Sequence, residues 1–166
     1  LTIAFWTGHL PPTGCRTSRI GFGHHTVNPP MFEIFEHTAD LGIRVRADNL
    51  EELFTDAAHG LFHVLAVNLD SVKPVHERSY SIAGDQYDLL LFDWLSELLY
   101  TFETEHLLLV EYQVSVETSC LTAICHGELA DEQRHQLDHE VKAITYHGLT
   151  VEPNAGGWLA EVIVDI

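Results

Sequence analysis

Two aspartates stand where a cation could be shared. Asp40 ends a polar break, His37-Thr38-Ala39-Asp40, that follows the first strand-like run; Asp165 is the penultimate residue, at the end of the last such run. If those runs are central neighbours in a sheet, their sequence-distant ends meet and the carboxylates become neighbours. Left unpaired, the two would repel and one would take up a proton. A hard divalent cation removes that conflict and accepts carboxylate and main-chain oxygens, so the terminal carboxylate of Ile166 could join the set. The plainer reading makes Asp40 a turn cap and Asp165 a solvated acid. On spacing alone the plainer reading comes first.

Lys142, one of two lysines, lies in Glu140-Val141-Lys142-Ala143-Ile144-Thr145-Tyr146-His147-Gly148. It is either a salt-bridge partner or a cation that organises the aspartates and contacts a phosphate, and sequence favours the former. His37 near Asp40, and His147 near Lys142, are placed to donate hydrogen bonds to metal ligands. His59/His63 and His135/His139 have the i, i+4 spacing of helical zinc ligands. His63, however, borders an apolar stripe, 135–139 is not convincingly helical, and no His-Glu-x-x-His occurs. These four read as surface or rim histidines. Cys15, Cys120 and Cys125 form an odd, sparse set that points to a reducing compartment, with Cys120 and Cys125 as buried thiols. A cytoplasmic location is the corresponding expectation.

The chain has 166 residues, 25 acidic and eight basic, with a net charge of −17. Residues 1–30 hold no acid and two of the bases, Arg16 and Arg19, so residues 31–166 carry 25 acids against six bases, a net of −19. Such a surface repels phosphate backbones and anionic membranes, which argues against strong nucleic-acid or membrane binding. Cations and basic protein surfaces are the expected partners. At 46% hydrophobic the chain is too apolar for disorder.

The elements that must position these residues are legible as periodicities. Phe32–Glu36 and 41–47 read as strands. Asp48 then reads as the N-cap of a helix bearing Leu50, Leu53, Phe54, Ala57, Ala58, Leu61, Phe62 and Leu65 on one stripe. A strand-like stretch, 75–83, precedes a second helix from near Asp85, with Tyr87, Leu90, Leu91, Trp94, Leu95, Leu98, Leu99 and Phe102 on its stripe. Period-two alternation over 110–117, a return strand at 121–126, a polar loop over 129–139 and strands at 141–151 and 158–164 complete the pattern. The order β-β-α-β-α-β-β-β-β implies an α+β fold: an antiparallel or mixed sheet covered by two amphipathic helices. Residues 1–30, rich in Pro and Gly and without periodicity, read as an unstructured extension or a mis-called start, with the domain spanning 31–166 and opening at Met31.

Several ordered motifs resemble the archease family. They are Phe35-Glu36-His37-Thr38-Ala39-Asp40-Leu41-Gly42-Ile43, Asn49-Leu50-Glu51-Glu52-Leu53-Phe54, Asp93-Trp94-Leu95-Ser96-Glu97-Leu98-Leu99-Tyr100, the stretch from Glu140 to His147, and the ending Gly156-Gly157-Trp158 through Val162-Ile163-Val164-Asp165-Ile166. The resemblance covers 31–166 and implies strand-helix-strand-strand units. It further implies a protein cofactor, not an enzyme, that serves a GTP-dependent ligase in tRNA splicing or RNA repair. Such a cofactor promotes guanylylation of the ligase's active-site histidine and its multiple turnover. The family's metal-binding aspartates match Asp40 and Asp165, its functional lysine matches Lys142, and Ile166 would supply a further oxygen. Calcium is the expected ion, with magnesium the alternative. Two other functions compete: a small stand-alone metal-dependent enzyme, and an acidic chaperone-like module without catalytic residues.

Overall fold

The computed structural model describes residues 30–166; the expectation for residues 1–30 falls, Pro30 apart, outside them. The elements run β1 (Phe32–His37), β2 (Asp40–Ala47), α1 (Leu50–Leu65), a 3-10 turn (Leu69–Ser71), β3 (His76–Ala83), α2 (Tyr87–Glu105), β4 (Leu107–Glu117), β5 (Cys120–Leu129), β6 (Ala143–Asn154) and β7 (Gly157–Asp165). Two sheets result, in strand order β1-β2-β7-β6 and β3-β5-β4. Every pairing is antiparallel, which settles the choice between antiparallel and mixed. The fold is α+β, two helices packed on antiparallel sheets. The segment β3-α2-β4-β5 forms one strand-helix-strand-strand unit, with all its strands in the second sheet.

Both helices touch both sheets: α1 packs on β1, β2 and β7 and on β4, while α2 packs on β6 and on β3, β4 and β5. That placement buries the expected stripe from Leu53 to Leu65 and widens it by Gly60 and Val64, while Leu50 stays partly exposed. Gly60 permits the close approach, because a Cβ there would lie 2.6 Å from Ile43 Cγ2. Trp94 is fully buried, and its indole N–H donates to the Phe54 carbonyl oxygen (3.0 Å), tying α2 to α1. The α1 N-cap is Asn49, not Asp48: Asn49 has the extended backbone of a cap, and its side-chain oxygen accepts the Glu52 N–H at 2.9 Å. No described helix is long and apolar enough to cross a membrane.

Two side-chain expectations need correction. His135 is 5% exposed and so is neither a surface nor a rim residue, whereas His59 is half-buried, edge-on to the Tyr112 ring (4.8 Å). Burial and the neighbouring His63 push the His59 pKa down to about 4. Of the two β5 cysteines only Cys125 is a free buried thiol, its pKa raised by burial, whereas Cys120 is disulfide-bonded.

Candidate functional site

One end of the first sheet receives a polar residue from each of its four strands or their flanks. His37 on β1 pairs with Asp40 on β2. β2 and β7 run in the register Leu41–Val164, Gly42–Ile163, Ile43–Val162. One step further the same register sets Asp40 beside Asp165. Directly opposed antiparallel residues have Cβ atoms about 4.5–5.5 Å apart, within reach of one cation. On the other side of β7, Asp165 pairs with Ala143, and the Lys142 N–H donates to the Asp165 carbonyl oxygen at 2.8 Å. The Lys142 ammonium closes the row by donating to the Ile166 main-chain oxygen at 2.9 Å.

Strand alternation decides which face the carboxylates share. Ile43, Val45, Ala160, Val162 and Val164 are buried in the core, on the face toward the helices. Asp40 and Asp165 therefore lie on the opposite face with Gly42 and Ile163. That face is open elsewhere, yet Ile163 is only 4% exposed. The cause is a bulge: β6 spends five steps from Thr145 to Thr150 while β7 spends two, from Ile163 to Glu161. Gly148 takes φ +65 inside it, close enough that a Cβ would meet Ile163 Cγ1 at 3.9 Å. The bulge brings His147 to His37, their ring centroids 5.6 Å apart. These histidines sit on the two edge strands of a four-stranded sheet, nominally about 14 Å apart at the usual spacing. The arch thus roofs the face beside the aspartates.

Two polar atoms beneath this roof have no hydrogen-bond partner, His37 Nδ1 and Thr145 Oγ1, although both are buried. Buried polar atoms in folded proteins nearly always find partners, so an orphaned pair marks a place where a water or ligand atom belongs. The expected cation fits the donor set. The available donors are hard oxygens, two carboxylates and the Ile166 main-chain oxygen, which suit calcium or magnesium and not a soft-ligand metal. Among the described residues no group of three or more His, Cys, Asp and Glu could hold a metal ion. A cation here would therefore rest on two aspartates and main-chain oxygen.

All six expected residues thus come to one end of one sheet. Asp40 and Asp165 lie at the adjoining ends of paired strands, Lys142 and Ile166 share a hydrogen bond, and the His37 and His147 rings are in contact. Sequence reading did not single out Thr145. Its signal was available in the alternation of Ala143, Thr145 and His147 away from Ile144 and Tyr146. Nor did it show that Phe92 of α2 stacks on Tyr146, with centroids 3.8 Å apart and planes 14° from parallel.

Comparison with known proteins places the chain in a family. The model of the Archease protein family (MTH1598/TM1083) matches residues 32–166. Protein archease of Pyrococcus abyssi is 38% identical over 140 residues, covering 81% of this chain and 98% of that protein. Protein archease of Methanosarcina mazei is 36% identical, covering 81% and 95%. Among solved structures, protein 1598 of Methanobacterium thermoautotrophicum superposes with a TM-score of 0.74 at 34% identity, covering 81% of this chain and 98% of that one. A Thermotoga maritima structure, described as an archease and possible chaperone, superposes with a TM-score of 0.58 over 87% of this chain and all of that one; at 19% identity it speaks to the fold alone.

Proposed function

This chain belongs to the archease family, and on that premise we propose that it is the accessory protein of a GTP-dependent RNA ligase. The ligase joins a 2′,3′-cyclic-phosphate or 3′-phosphate end to a 5′-hydroxyl end. The chain promotes guanylylation of the ligase's active-site histidine and so restores its turnover, in tRNA splicing or RNA repair. The observation that carries this reading is the convergence of Asp40, Asp165, Lys142 and Ile166 at one sheet end.

Asp40 and Asp165 would hold a divalent cation, calcium or magnesium, with Ile166 oxygen as a further ligand. When bound, that ion supplies positive charge against phosphate oxygens and offsets the repulsion of the two carboxylates. Lys142 presents an ammonium group at the same end, anchored on Ile166. His37, Thr145 and His147 lie beside the carboxylates and supply hydrogen-bonding atoms there. The acidic surface keeps RNA off the chain and favours encounter with the basic cleft that an RNA ligase needs.

The test is a guanylylation assay with purified ligase and GTP, with and without the chain. Stimulated formation of the ligase–GMP adduct is the expected result. Robust turnover of a small molecule by the chain alone would instead support a stand-alone enzyme. Full stimulation by Asp40→Asn, Asp165→Asn and Lys142→Ala variants would reduce the chain to an acidic, chaperone-like module.

A further inference from the structure

The outward face of α2 combines two features that work against a solitary helix. Leu89, Asp93, Ser96, Tyr100 and Glu103 recur at i, i+4, i+7, i+11 and i+14, one stripe on the outer side of the helix, with Phe92 at its edge and partly buried against the core. On that stripe Leu89 is 41% exposed and Tyr100 62%; Phe92 carries the stacked Tyr146 ring, itself 61% exposed. Leu89, Phe92 and Tyr146 thus form a partly exposed apolar patch, with Tyr100 about two turns further along the same helix. A clustered patch of this kind marks an interaction surface, whereas scattered exposed residues do not.

Charge on the same helix narrows the occupant. α2 carries Asp88, Asp93, Glu97, Glu103 and Glu105 and no Lys, Arg or His. Its last turn holds acids and no base, opposite to what the helix dipole favours. Arg78 reaches over to pair with Glu105; Glu103 lies on the exposed stripe. A second copy of a chain with net charge −17 would be repelled, as would RNA or an anionic membrane. Aromatic anchors ringed by uncompensated acids match a basic protein surface with apolar side chains of its own.

Position links this face to the proposed site. Tyr146 follows Lys142 by four residues, at most about 14 Å of extended chain. We infer that the α2 stripe and Tyr146 form the docking face through which the chain grips a basic surface of the ligase. This rests on the ligase-accessory reading and adds to it a separation of labour: α2 and Tyr146 bind, while the sheet end carrying Lys142 acts.

The experiment measures affinity of full-length chain for purified ligase by calorimetry, and guanylylation over a range of chain concentrations. Two surface variants are compared with wild type and Lys142→Ala: the triple change Leu89→Ser, Tyr100→Ser, Tyr146→Ser, and the charge reversal Asp93→Lys, Glu103→Lys, which leaves the aromatic packing untouched. Each surface variant is expected to bind at least tenfold more weakly and to regain stimulation at high chain concentration. Lys142→Ala is expected to bind within about threefold of wild type and fail to stimulate at any concentration. Wild-type affinity in both surface variants overturns the docking face while leaving the functional reading intact. A wild-type chain that neither binds nor stimulates the ligase overturns both. Sedimentation showing a wild-type dimer that the variants lose would assign the face to a second copy and overturn the basic partner.

Discussion

Two charged clusters in this molecule treat their carboxylates differently. At the end of β5 and just after it, Arg134 and main-chain N–H groups tie two of them down. Arg134 donates to Glu128 and Asp131, the Glu128 carboxylate accepts the Lys73 N–H, and the Asp131 carboxylate accepts the Gln133 N–H. Both carboxylates are held below the usual range, Glu128 first by the Lys73 N–H and then by Arg134, Asp131 first by the Gln133 N–H and then by Arg134. His135 is buried among them; its Nδ1 accepts the Asp131 N–H at 2.9 Å, while its Nε2 lies 3.6 Å from Glu128 Oε2 and makes no hydrogen bond. At the end of the first sheet two carboxylates share a face with no arginine paired to either among the described residues. Each cluster leaves buried polar atoms without partners, His135 Nε2 in the first and His37 Nδ1 and Thr145 Oγ1 in the second. Carboxylates tied to Arg134 and to main-chain N–H groups hold the chain in place. Two carboxylates set side by side without such partners remain for a ligand or partner.

This contrast breaks most visibly if function is tested at each place. Asp165→Asn and Lys142→Ala are expected to lower ligase stimulation roughly a hundredfold, the usual scale for removing one electrostatic contact to a reacting phosphate. Melting temperatures should stay within about 2 °C of wild type, read by calorimetry on the same samples. At the other cluster the pattern reverses. His135→Ala removes the acceptor for a buried N–H and leaves a small cavity, a cost of about 2 kcal/mol and a fall of roughly 4–8 °C in melting temperature. Stimulation measured well below that temperature should be unchanged. A His135→Ala chain that melts normally but fails to stimulate would erase the distinction.

The same logic sharpens with pH. The His59 pKa falls from about 6.5 unfolded to about 4 folded, through burial first and His63 second. Between those values the unfolded chain takes a proton that the folded chain refuses, so stability drops as pH falls from about 6.5 to 4 and the loss then levels off. After allowance for residual solvent exposure the effect is about 1–2 kcal/mol. His59→Phe should flatten that part of a stability-versus-pH curve; an unchanged slope would remove His59 as its source. The Glu128 and Asp131 contributions have the depressed-carboxylate sign: present above the unfolded carboxylate pKa, they are lost only as pH falls through the lower folded values.

Both helices were legible because their apolar residues repeat at i, i+3, i+4 whatever they pack against. What the stripes concealed is that α1 lies against two sheets, which is why His59, on its polar side by sequence, meets Tyr112. β4 begins at Leu107, three residues before the alternation suggested. Leu107, Leu108 and Leu109 are all buried, so no period-two signal exists there, and the register shifts between Leu109 and Glu111. At the candidate site the row of Asp40, Asp165 and Lys142 was legible as a wager on strand neighbours, because residue types and strand ends suffice to frame it. The roof was not. It depends on extra residues in the β6 bulge and on Gly148 at positive φ, and alternation carries no record of either.

The account rests on Asp40 and Asp165 sharing one divalent ion beside Lys142. Calorimetric titration of calcium, and then magnesium, into the chain tests this most directly. One ion per chain should bind wild type and Lys142→Ala, and binding should be lost in Asp40→Asn and in Asp165→Asn while all four proteins remain folded. Equal binding by wild type and both aspartate variants, or none by any of the four, would contradict it.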